Sequence, residues 1–135
     1  KADAKSLSFS ADIAGAYPTE AAVEHWTRSY QLKKNRLLIS DNFILKEAKA
    51  PNKVNFLTWG NVDISKKGLV VINVKGITAA LSYDAATFEP SIEKVSLTDP
   101  RLSKVWGSEI YRITLTARTT ALKGIYNYVI VKKTK

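Results

Sequence analysis

Apolar residues recur at every second position along almost the whole chain, and this period of two is the strongest constraint on how it can fold. Leu7, Phe9, Ala11 and Ile13 alternate with Ser6, Ser8, Ser10 and Asp12. Successive side chains of an extended strand point to opposite faces, so the alternation describes a strand with one buried and one wetted side. Comparable runs occupy residues 23–32, 37–46, 54–59, 62–64, 69–74, 77–83, 92–97, 109–117 and 125–132. Turn formers stand between them, among them Lys34-Asn35, Pro51-Asn52, Trp59-Gly60-Asn61, Lys75-Gly76, Asp99-Pro100, Trp106-Gly107 and Lys123-Gly124. About ten short strands at this spacing predict an all-β fold, an antiparallel β-sandwich. No stretch shows the 3.6-residue period of an amphipathic helix. Residues 19–25 are the only helix-tolerant segment and should form at most a turn. No repeat or linker divides the sequence, so residues 1–135 are expected to form a single domain.

One hairpin can be worked out residue by residue. If Lys34 and Asn35 form a two-residue loop, with Asn35 taking the positive φ, then Lys33 faces Arg36. Leu32 then meets Leu37, Tyr30 meets Ile39, Arg28 meets Asp41 and Trp26 meets Phe43. Three apolar pairs and one opposite-charge pair share a face, which a one-residue slip would destroy. An arginine and an aspartate on an otherwise apolar face are costly unless paired, and this register pairs them. Arg28 and Asp41 are therefore expected to form a structural ion pair.

Composition narrows the chemistry. Cysteine is absent, which excludes disulfides, thiol catalysis and cysteine-type zinc sites and agrees with an exported protein. No apolar run approaches the ~18 residues of a membrane-spanning helix. Lys1 to Ser10 alternate and are polar, unlike a signal peptide. Methionine is also absent, which suggests a processed chain or a segment of a longer protein. The net charge of +9 favours a polyanionic partner: an acidic polysaccharide, nucleic acid or anionic lipid. A patch docking on an acidic neighbour, or solubility alone, would account for it as well.

The catalytic inventory is thin. His25 is the only histidine, so no histidine cluster can hold a metal, and a serine–histidine–acid triad would have to be built on it without a nucleophile-elbow motif. No glycine loop of the phosphate-binding kind is present. Asp41, Asp63, Asp84, Asp99 and Glu109 read as turn residues or ion-pair partners. Trp26, Tyr30 and Tyr111 fall on apolar strand faces and read as core, which weakens a sugar-stacking role for them. Only the last strand, with Tyr126 and Tyr128 ahead of Lys132 and Lys133, approaches the mixed aromatic and basic face of a nucleic-acid binder. No catalytic residue, metal ligand or cofactor is expected in this chain.

Two stretches carry a family resemblance. The first runs from Phe9 through Ile13 to Tyr17-Pro18 and Ala21, on to Trp26-Thr27-Arg28, then Ile39-Ser40-Asp41-Asn42-Phe43. The second is Leu97-Thr98-Asp99-Pro100-Arg101-Leu102, Trp106-Gly107 and Ile110-Tyr111-Arg112-Ile113. In this order they resemble the C-terminal β-domain of heparinase II/III-like polysaccharide lyases. The resemblance implies a parent enzyme with an α/α-toroid and a β-sandwich region, cleaving uronate-containing polysaccharide, such as a glycosaminoglycan, by β-elimination. The family's catalytic tyrosine, histidine and asparagine lie in segments with no counterpart here, so no catalytic role is carried over. The expectation is a non-catalytic, periplasmic or secreted domain that packs on the parent's N-terminal catalytic domain and helps hold an acidic polysaccharide. It should bind no nucleic acid. The apolar, non-alternating loop with Tyr17, Pro18, Ala21 and Ala22 is the candidate domain interface. A free-standing carbohydrate-binding module is the first alternative, and a basic nucleic-acid-binding β-domain the second.

Overall fold

The computed structural model describes residues 6–133. Ten antiparallel strands make two packed sheets. They are β1 (Ser6–Asp12), β2 (Val23–Lys33), β3 (Arg36–Leu45), β4 (Lys53–Thr58), β5 (Asn61–Asp63), β6 (Leu69–Val74), β7 (Ile77–Tyr83), β8 (Phe88–Ser96), β9 (Glu109–Ala117) and β10 (Lys123–Lys133). The larger sheet has the order β1-β2-β3-β10-β7-β6-β5 and the smaller β4-β9-β8. A short helix, α1 (Pro100–Trp106), joins β8 to β9.

The β2–β3 hairpin closes at Lys34 and Asn35 and pairs Leu32 with Leu37, Tyr30 with Ile39, Arg28 with Asp41 and Trp26 with Phe43. The positive φ, however, falls on Lys34 (53°) and not on Asn35. A two-residue hairpin turn needs the left-handed conformation at its first central position to match the strand twist, whichever residue stands there. Antiparallel partners share a face, so the inner rows continue across the sheet. Ile39 is followed by Tyr128 and Tyr83, and Leu37 by Ile130, Leu81 and Val70. The smaller sheet adds Val54, Phe88, Ile113, Leu115 and Ala117 to one core. A chain of ring contacts crosses it, from Trp26 to Phe43, Tyr126, Phe88, Tyr128 and Phe56. Gly124 lies opposite Phe43, and a Cβ there would stand 3.1 Å from the ring.

Two elements depart from the sequence-based expectation. The strand expected at residues 92–97 begins at Phe88 and includes Pro90. It lies at the edge of the smaller sheet, where a proline need not supply a ladder N–H. Helix α1 was not expected at all, because seven residues are too few to show a helical period. Its ends carry the signals nonetheless. Asp99 Oδ1 accepts the Arg101 N–H at 2.8 Å, Pro100 occupies the first turn and Gly107 follows with φ 87°. Residues 19–21 form one 3₁₀ turn.

Candidate functional site

The buried polar centre of the domain is built on Asp41, which is fully buried. Arg28 Nε donates to Asp41 Oδ1 and Nη2 to Oδ2, both at 2.6 Å, in the two-pronged geometry only arginine offers. Trp26 Nε1 also donates to Oδ1, at 3.0 Å. The hydrogen bond to Asp41 raises the Arg28 pKa further, so the guanidinium is permanently charged. Both Asp41 oxygens thus accept at least one donor from β2, and the carboxylate is closed off from solvent. This centre fixes the strand register and holds Trp26 in place.

The expected interface loop is exposed. Tyr17, Pro18 and Ala21 are open to solvent and Ala22 is half-buried. Tyr17 leans on Trp26, ring centroids 6.3 Å apart. Tyr17, Ala21 and Ala22 border a hollow of about 400 Å³ that also meets Lys49, Pro51 and Lys53. Ala22 ends the loop in the left-handed conformation (φ 52°).

Beside this loop, Asp12 binds three groups. Its Oδ2 lies 2.9 Å from His25 Nδ1, and its Oδ1 accepts the backbone N–H groups of Ala14 and Trp26. The His25 hydrogen bond first, then those of the two amides, hold the Asp12 carboxyl down at about 2. An aspartate on Nδ1 orients an imidazole as in a hydrolytic triad, but no hydroxyl is bonded to His25 among the described residues. The dyad therefore ties β1 to β2. Nor does any cluster of three or more histidine and acidic side chains suit a metal ion among the described residues. Tyr126 and Tyr128 are buried in the core and cannot stack on nucleic-acid bases.

Two apolar surfaces escaped sequence reasoning. The first is on the core side of the larger sheet, which is wider than the sheet covering it. At its β1 edge Leu7 and Phe9 are 51% and 65% exposed and Leu32 is exposed beside them, although all three belong to inner rows. Phe9 stacks on Tyr30, ring centroids 6.4 Å apart. The alternation identified these as inward residues, but it carries no record of how far the opposing sheet reaches.

The second surface lies where the chain passes from β4 in one sheet to β5 in the other. Trp59 stands at this bend, next to Gly60, whose missing Cβ would lie 2.4 Å from the Asn73 carbonyl oxygen. Only glycine lets the two backbones approach so closely. Trp59 and Trp106, with Leu57, Leu102 and Ile110, line a cleft of about 460 Å³. Helix α1 buries none of its residues, and Leu102, Val105 and Trp106 are all exposed. The Lys75 ammonium sits 4.9 Å from the Trp59 ring centroid, in cation–π contact.

Compared with known proteins, the sequence matches no family model and no curated protein.

Proposed function

We propose that the chain is a non-catalytic β-sandwich domain that packs against, and completes, a heparinase II/III-like polysaccharide lyase. The observation that carries this reading is the uncovered inner face at β1 and β2. A sheet face whose inner rows hold Leu7, Phe9 and Leu32 in contact with water is built to be covered. The exposed loop with Tyr17, Pro18 and Ala21 follows the other end of β1, where Tyr17 leans on the inner-row Trp26. The ordered resemblance of residues 9–43 and 97–113 supplies the family. The buried Asp41 carboxylate, held by three donors from Arg28 and Trp26, supports a structural role for this centre. An exported, periplasmic or secreted location follows from this reading and agrees with the absence of cysteine.

The test is co-expression with the toroid and first sheet segments of such a lyase, followed by co-purification and assay of unsaturated uronate. The chain alone should release none from heparin, heparan sulfate or alginate, and should co-purify with those segments. Phe9→Asp together with Leu32→Asp should abolish co-purification while lowering the melting temperature of the isolated chain only modestly, because Phe9 is 65% and Leu32 41% exposed. Turnover by the isolated chain, or co-purification indifferent to both substitutions, would overturn the proposal.

A further inference from the structure

We propose that the Trp59–Trp106 cleft is a binding subsite for an acidic oligosaccharide, with indole rings stacking on sugar rings and Lys75 and Arg112 meeting carboxylate or sulfate groups. The cleft lies away from the β1–β2 face, and the inference stands whether or not the domain belongs to a lyase. Two tryptophans line it, 40% and 49% exposed, while Trp26 is spent in the core. An exposed indole presents a flat apolar face with a polar N–H at its rim, which suits the C–H face and hydroxyl edge of a pyranose.

Charge selects the kind of sugar. Lys75 has no carboxylate partner among the described residues and holds its ammonium over the Trp59 ring. Arg112, cross-strand from the cleft residue Leu57, is tied among the described residues only to the exposed Glu93 at 3.1 Å, a pair weak enough to exchange. The chain carries a surplus of nine positive charges. Lys75 and Arg112 stand outside the apolar lining of the cleft itself, so an anionic, hydroxyl-rich ligand that reaches past the indoles meets them at its margin. Beyond Arg112 the outer face of the smaller sheet continues with Asn55 and Thr114, hydrogen-bonded at 2.7 Å. This polar row extends the track for further sugar units.

The experiment is affinity electrophoresis of the 135-residue chain through gels containing heparin, alginate or hyaluronan, with dextran as the neutral control. Retardation is expected in at least one acidic gel and not in dextran. Trp106→Ala and Trp59→Ala should each weaken it about tenfold or more, as loss of a central aromatic anchor does, and Lys75→Asn should weaken it in a salt-dependent way. Circular dichroism melts confirm folding. Should Trp59→Ala unfold, Trp106→Ala on the exposed helix decides alone. No retardation in any acidic gel would overturn the proposal. So would equal retardation of the tryptophan variants, or equally tight binding of a single-stranded oligonucleotide, which would reveal simple polyanion attraction. Tryptophan variants that bind glycan normally but fail to co-purify with a lyase body would reassign the cleft to protein docking.

Discussion

The indole N–H of Trp26 bonds to Asp41 at 3.0 Å, on the same carboxylate oxygen that accepts Arg28 Nε at 2.6 Å. Two donors from one strand thus converge on a single acid of the next, and all three side chains lie in adjacent inner rows of the larger sheet.

Removing that acid strands a buried guanidinium and an unpaired indole N–H. Asp41→Ala should cost about 3–5 kcal/mol in urea unfolding. Replacing both charges, as Arg28→Met with Asp41→Leu, should recover much of it. If Asp41→Ala loses no more than the ~1 kcal/mol of an exposed pair, the buried centre is not what holds the hairpin.

Gly60 should tolerate no side chain. A methyl group there would overlap the Asn73 carbonyl oxygen and the Val74 side chain, both 2.4 Å away. Gly60→Ala should cost about 1–3 kcal/mol or more, because neither β6 backbone nor the sheet-switching bend can yield cheaply. Trp59 fluorescence should change with it, since the bend places that ring. An unaltered melt and spectrum would contradict this packing.

Tyr128 is buried, its hydroxyl makes no well-formed hydrogen bond among the described residues, and burial first, then the nearby Asp41 carboxylate, pushes its pKa up. Tyr128→Phe should therefore be neutral or stabilising by up to about 1 kcal/mol, since it removes an unpaired polar group while keeping the ring. A clear loss of stability would mean that the hydroxyl is satisfied after all.

Acid should act through Asp12. Its carboxyl is held at about 2 in the folded chain against an ordinary value of 3.8, chiefly by His25. A depressed folded pKa contributes stability that is present above the unfolded value and disappears as pH falls through the folded one. Stability should thus decline between about pH 4 and pH 2, with Asp12→Asn showing a shallower decline. Because the group is exposed the contribution is modest, and urea midpoints at several pH values compare the two proteins directly. Parallel pH profiles would remove Asp12 from the account.

The legible part of this protein was local. Alternation of side chains located ten strands, because a half-buried strand imposes its period on every residue. The β2–β3 register could be read from Arg28 and Asp41, because a buried charge has few affordable partners and only one alignment provides them. Helix α1 went unseen although Asp99, Pro100 and Gly107 mark its ends, since two turns that bury nothing leave no periodic trace. Asp12 and His25, thirteen residues apart, meet only because β1 pairs with β2. Phe9 and Trp59 show the deeper limit. The pattern states that a side chain faces inward, or that a tryptophan stands at a turn. Whether a neighbour covers it depends on the width of the opposing sheet and on where the chain changes sheets. Those are properties of packed layers, in which distant segments compete for the same apolar area, and only the tertiary structure decided them.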